Sequence, residues 1–224
     1  MSKRFIVFDM DGVLVDVSDS YRATVIQTVE DFTGKRITGD LIQDFKNQGG
    51  WNDDWDLSHR LVLDHGGNAA FEDVVRHFNK LFFGNGTDGL IMRERWIARP
   101  GVLERLAERY QLAIYTGRRD YEVEPTLARF AGDLRFDPIV TSDMVANLKP
   151  APDGLFRIRE MHPNKDFRYV GDTIDDCRCA SAAGVPFIGI AAPAGPRHNE
   201  SVALFKAEGA IAVLDDINQL ESVL

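Results

Sequence analysis

Six short, apolar, β-rich runs are spaced along this chain with helical segments between them, at residues 5–8, 112–115, 139–140, 169–170, 187–190 and 211–214. Parallel neighbours need a long crossover, usually a helix, so this alternation predicts an α/β fold whose parallel sheet is covered by helices on both faces. The spacing adds a second constraint. Later strands follow one another at roughly 15 to 30 residues, one strand–helix–strand unit, whereas about a hundred separate the first from the second. An insertion is expected in that gap.

The inserted stretch reads as helices. Tyr21, Val25, Val29 and Phe32 form an apolar stripe at helical spacing, with Ser18 and Asp19 as capping candidates and Gly34 as terminator. Phe71, Val74, Val75, Phe78, Leu81 and Phe82 form a second stripe, and two weaker segments are expected around residues 41–45 and 57–65, divided by Gly49-Gly50. The expected organisation is a helical domain at 17–94 set into a main domain of residues 1–16 and 95–224, with Pro100-Gly101 marking re-entry.

Charge narrows the function classes. Twenty-six Lys and Arg against thirty-five Asp and Glu give a net charge of −9, a field that repels nucleic acid and anionic membranes. No apolar run approaches the roughly 20 residues of a membrane span. The start, Met1-Ser2-Lys3-Arg4, leads into a four-residue apolar run, so the expectation is a cytoplasmic protein without an export signal. Cys177 and Cys179 are too few for a zinc site and are expected as reduced thiols.

The densest chemistry, Asp9-Met10-Asp11-Gly12, follows the first strand. Residues two apart on a strand face the same side, about 6 to 7 Å apart, so Asp9 and Asp11 aim at one point while Gly12 permits a sharp turn. Gly171-Asp172-Thr173-Ile174-Asp175-Asp176 follows the fourth strand in the same way. Open α/β sheets bind ligands at the carboxyl ends of their strands, so Asp9, Asp11, Asp172 and Asp176 are expected to crowd one crevice. An all-oxygen acidic group of this kind needs a counter-charge and suits Mg²⁺. After the second strand, Thr116 and Gly117 place a hydroxyl and an amide suited to phosphoryl oxygens, and Arg118 and Arg119 are candidates to touch a bound anion, solvation being the commoner case for an arginine. Lys149, stiffened by Pro150 and Pro152, precedes a helix start.

In that order, Asp9-x-Asp11-Gly12, Thr116-Gly117, Lys149-Pro150 and Gly171-Asp172 with Asp176 resemble the four motifs of the haloacid dehalogenase-like hydrolases. The resemblance covers nearly the whole chain, since the helical insert looks like the cap of subfamily I. It implies a Rossmann-like core, a mobile cap, Mg²⁺ and an aspartyl-phosphate intermediate. The acid pair Asp9-x-Asp11 is similar to the phosphatase and phosphomutase branches and departs from the dehalogenases, which lack the second acid and the metal. Carried over residue by residue, the resemblance makes Asp9 the nucleophile and Asp11 the general acid and base. Asp9, the Asp11 carbonyl and Asp172 become metal ligands. Asp176 supports them, with Asp175 as the less favoured substitute. Thr116, Gly117 and Lys149 hold the phosphoryl oxygens of a small phosphorylated substrate.

Selection of the leaving group falls to the insert, where Lys46, Asn52 and Arg22 are the candidate contacts; Trp51 and Trp55 are at least as readily explained as packing residues. The runner-up activity is a phosphomutase of the β-phosphoglucomutase type. Rivals from other classes are a phosphorylated receiver module, which the large insert disfavours, and a non-catalytic binding protein on the same fold. Gly84-Asn85-Gly86-Thr87-Asp88-Gly89 fits G-x-G-x-x-G but follows a helical stripe rather than a strand, so it reads as a loop. The five histidines show no ligand spacing and are expected at surface or helix positions.

Overall fold

The computed structural model describes residues 4–224; residues 1–3, the start of the opening segment considered above, lie outside the described residues. The chain divides into two compact units, Met1–Val15 with Trp96–Leu224, and Asp16–Arg95. In chain order the strands are β1 (Arg4–Phe8), β2 (Val15–Asp16), β3 (Arg95–Trp96), β4 (Tyr110–Tyr115), β5 (Ile139–Val140), β6 (Phe167–Gly171), β7 (Phe187–Ile190) and β8 (Ala212–Leu214). Six of them form a parallel sheet in the order β5-β4-β1-β6-β7-β8, so the fold is the expected Rossmann-like α/β core with helices inserted after β1. The short strands β2 and β3 pair with each other where the chain leaves and re-enters the core. The sequence does not mark them, because each joins a charged residue to an apolar one and so shows no apolar run, unlike the equally short β5.

Strand order creates the functional end of the sheet. From β1 the chain moves outward to β4 and β5, then crosses back to β6 on the other side of β1, which makes β1/β6 the topological switch point. Register keeps the strand ends level. Phe8 pairs with Ile114 of β4 and Val170 of β6, and the Asp9 amide extends the ladder to the Val170 carbonyl at 2.8 Å. Residues just past these strands therefore emerge together. Both faces are buried: Phe5, Val7, Tyr115, Tyr169 and Phe187 pack with helices α7 (Asp153–Met161) and α8 (Ile174–Ala183) on one, and Ile6, Phe8, Leu112 and Ile114 are buried on the other. Gly154 of α7 lies so close that an added Cβ would overlap the Tyr115 ring.

The inserted unit contains α1 (Tyr21–Thr33), α2 (Gly39–Gln48), α3 (Asp54–Asp64) and α4 (Phe71–Phe83). Gly34 ends α1 in the left-handed conformation at φ 68°, its amide reaching the Glu30 carbonyl. The start of α1 corrects the expected cap. Ser20, not Ser18 or Asp19, immediately precedes the helix and gives it no side-chain hydrogen bond; Asp19 pairs with Arg95 at 3.0 Å and the Ser18 amide bonds Asp16. The Phe71 stripe buries Val74, Phe78 and Phe82, with the Tyr21 and Phe82 rings 4.2 Å apart. Gly84 caps α4, and Asp88 accepts from the Asn85 amide, which makes the glycine-rich segment a helix-end loop. Among the described residues no helix is long and apolar enough to cross a membrane.

Candidate active site

Asp9 emerges from β1 only 4% exposed. Met10 beneath it accepts the amides of Leu14 and Val15, closing the turn that presents Asp11. Gly12 turns at φ +69°, and a Cβ there would collide with the Asp172 carboxylate. The obstruction that a side chain would cause at this glycine is thus to an acidic partner across the switch point.

Asp172 follows β6, and carboxylate oxygens of Asp9, Asp172 and Asp176 lie within 4.8 Å of one another. Thr173 caps α8: its hydroxyl accepts from the Asp176 amide and donates to Asp176 Oδ2 at 2.7 Å, and its own amide also reaches that oxygen. Asp176 Oδ1 accepts from Lys149 Nζ at 2.7 Å and Tyr169 OH at 2.7 Å. Both oxygens of this fully buried carboxylate are thereby engaged, Oδ1 with Lys149 and Tyr169 and Oδ2 with Thr173.

Lys149 is 4% exposed and sits at the centre of the cluster. Its ammonium donates to Asp176 and, at 2.9 Å, to Tyr169 OH, and lies 3.1 Å from Asp9 Oδ1. Burial opposes the charged form of Lys149, yet Asp176 and Asp9 outweigh it and hold the ammonium well above its usual range. Asp176 responds oppositely: burial raises it, but Lys149 and the hydrogen bonds it accepts hold it below the usual carboxylate range. For Asp9, burial dominates. Lys149 pulls its proton affinity down, Asp176 and Asp11 add to the rise, and the carboxyl is pushed up to about 7.

Beyond β4, Thr116 is fully buried and its Oγ1 accepts the Arg118 amide at 3.1 Å. Arg118 was expected to meet a bound anion or solvent. It is instead 2% exposed, with Nε and Nη2 donating to Asp11 Oδ1 at 2.9 and 2.5 Å. Sequence reading missed this pairing, along with Tyr169 and Thr173. The spacing Thr173-x-x-Asp176 carried a legible capping-box signal; Tyr169, an ordinary strand aromatic, carried none.

The insert candidates have partners of their own within the helical unit. Arg22 Nη2 donates to Gln43 at 2.8 Å, while its Nη1 is buried with no hydrogen-bond partner among the described residues. Lys46 pairs with Asp54 at 2.7 Å and donates to the Asn52 carbonyl at 3.2 Å, so this cation is already neutralised locally. Asp53 caps α3, and Trp51 packs edge-on to Phe45. The packing reading of Trp51 therefore accounts for its position. The free cysteines are both buried, and burial pushes Cys177 up to about 11 and Cys179 up to about 12, as inert thiols require. His59 and His65 meet backbone carbonyls and His77 meets Asp31, away from any metal-ligand grouping found among the described residues.

The donor set fits a hard divalent cation such as Mg²⁺: it is all oxygen, and Asp9 Oδ1 is buried with Lys149 in ion-pair range but, among the described residues, no well-aligned hydrogen-bond donor. A cation there would also favour the ionised form of Asp9 over the protonated form that burial promotes.

The profile of the haloacid dehalogenase-like hydrolases matches residues 6–190, and the chain belongs to that family and is an enzyme of it. It is 32% identical over 201 residues to an imidazoleglycerol-phosphate dehydratase of Phytophthora nicotianae; the match takes 84% of this chain but 43% of that longer protein. A phosphoglycolate phosphatase of Pseudomonas syringae pv. syringae is 27% identical, with 97% of this chain and 78% of that protein aligned. Among solved structures, a haloacid dehalogenase-like hydrolase from Bacteroides fragilis superposes with a TM-score of 0.76 at 20% identity, over 98% of this chain and all of that one, a likeness of fold.

Proposed function

We propose that this protein is a Mg²⁺-dependent phosphatase that hydrolyses a small phosphorylated metabolite through an aspartyl-phosphate on Asp9. The observation that carries the proposal is the meeting, at the β1/β6 switch point, of a buried carboxylate with Lys149 and a second acidic pair. Relatives that are phosphoglycolate phosphatases support a small monoester as substrate.

In this reading an Asp9 oxygen attacks phosphorus, the bond to the leaving oxygen breaks, and Asp11 gives that oxygen its proton. Asp11, now ionised, takes a proton from water as the water attacks the phosphoryl-aspartate, and the Asp9 oxygen leaves with inorganic phosphate released. Thr116 accepts the Arg118 amide and keeps its hydroxyl hydrogen for a phosphoryl oxygen, beside the Gly117 amide and the Lys149 ammonium. Asp9, Asp172 and the Asp11 carbonyl would hold Mg²⁺, with Asp176 supporting the set through Lys149. The bound cation supplies charge neutralisation between the anionic substrate and the carboxylates. Arg22, Lys46 and Asn52 remain the proposed leaving-group contacts of the insert, and Lys46 would first have to exchange Asp54 for substrate.

Chelation tests the reading. With p-nitrophenyl phosphate and a panel of phosphorylated metabolites, removal of divalent cations is expected to abolish phosphate release and added Mg²⁺ to restore it. Full turnover in a verified metal-free sample would overturn the site as proposed.

A further inference from the structure

Arg118 makes a contact that the phosphatase reading does not require. Its guanidinium is buried, although taking such a cation out of water costs several kcal/mol unless its donors are satisfied. Each edge has a fixed partner: Nε and Nη2 converge on Asp11 Oδ1, and Nη1 donates to Thr126 Oγ1 at 2.8 Å and approaches the Glu122 carbonyl at 3.4 Å. Thr126 and Glu122 lie on helix α6 (Asp120–Phe130) and are themselves buried. The backbone is fixed as well. The Arg118 amide bonds Thr116 Oγ1, and its carbonyl accepts the Ser142 amide at 3.0 Å.

The two ends of this ion pair differ in exposure. The Arg118 side chain is 1% exposed, whereas the Asp11 side chain is 31% exposed. The guanidinium is thus a rigid fixture of the core, and the carboxylate is the part that faces outward. Among the described residues Asp11 Oδ2 accepts no hydrogen bond, while Oδ1 faces two N–H donors. A proton on Oδ1 would point at those donors, so a proton that Asp11 carries belongs on Oδ2.

We infer that Arg118 is the positioning residue of the acid–base group: it pins Asp11 through Oδ1 and leaves Oδ2 as the single oxygen that passes a proton to the leaving group and takes one from water. The inference deepens the phosphatase reading and rests on it. It moves Arg118 from substrate contact to control of a catalytic side chain. Lysine is a poor replacement, since one ammonium on a flexible stem cannot hold Asp11 and Thr126 together in a planar fork.

The test is a double-mutant cycle on two probes, p-nitrophenyl phosphate, whose leaving group needs little protonation, and glycerol phosphate, whose alkoxide needs it fully. Arg118→Met should lower glycerol phosphate turnover ~10²-fold or more, the scale of general acid catalysis. The first-turnover release of nitrophenolate should fall far less. In an Asp11→Asn background the same substitution should add less than about a twofold change, because a group acting through Asp11 has nothing left to position. Arg118→Lys should keep the fold, checked by its melting temperature, and show the same leaving-group dependence in weaker form. Equal losses with and without Asp11, or equal losses on both probes, would overturn the inference and return Arg118 to a substrate or purely structural role. A wild type that turns over neither probe with Mg²⁺ would instead overturn the phosphatase reading beneath it.

Discussion

Asp9→Asn is expected to lower phosphate release by ~10⁴-fold or more, the scale seen when a covalent nucleophile is removed and positioning alone remains. An amide cannot form the phosphoryl-aspartate and is a weaker partner for a cation. The fold should survive, and its pH response should change in a stated direction. The Asp9 carboxyl is pushed from 3.8 up to about 7 by burial and by Asp176 and Asp11, against Lys149. A raised carboxyl binds its proton more tightly in the folded state, so its contribution to stability is lost as pH climbs from about 4 to about 7 and stays lost above that. In chelator, the melting temperature of Asp9→Asn relative to wild type should therefore be higher at pH 8 than at pH 4.5. Undiminished single-turnover phosphate release by this variant would refute the nucleophile assignment, and a pH-independent difference would refute the buried, destabilised carboxyl.

Lys149→Met is expected to damage both stability and chemistry. The ammonium is the counter-charge for Asp176 and Asp9, both buried, and it also donates to Tyr169 OH. Removing one partner of a buried ion pair leaves an uncompensated charge, at a cost of about 3–5 kcal/mol. At this chain length that corresponds to a fall in melting temperature on the order of 10 °C. Turnover should fall at least ~10²-fold as well, since a fixed cation beside the transferred group is lost. Lys149→Met with Asp176→Asn should lose much less stability than the two single variants added together, because the stranded charge is gone. Strict additivity would show that the cluster does not work as one unit.

The local motif Asp9-x-Asp11-Gly12 was legible because it directly follows a four-residue apolar run, and a strand end is a local property. Thr116-Gly117 and Gly171-Asp172 were legible for the same reason. Lys149 was harder, since one lysine before two prolines is commonplace and only its order among the other motifs marked it. The capping of α1 was misread from Ser18 and Asp19 because the competing partner of Asp19, Arg95, lies on the far side of the whole insertion. Lys46 stood out in sequence as a lone cation among amides and indoles, and the fold supplies Asp54 as its neighbour.

The sequence by itself determined the alternating parallel architecture, the placement of a helical insertion after β1, and the identity of the chemical groups at the strand ends. These follow from apolar periodicity and from residue chemistry, both of which are written within short stretches of chain. Tertiary structure alone decided which group holds which. Arg118 finds Asp11 across 107 residues, and Lys149 finds Asp176 across 27, because the order β5-β4-β1-β6 gathers the segments that follow these strands at one end of the sheet. Strand order is not encoded in any single strand. The burial it imposes then makes a carboxylate resist ionisation and keeps an arginine as a fixed support, when either residue in an exposed turn would be merely solvated.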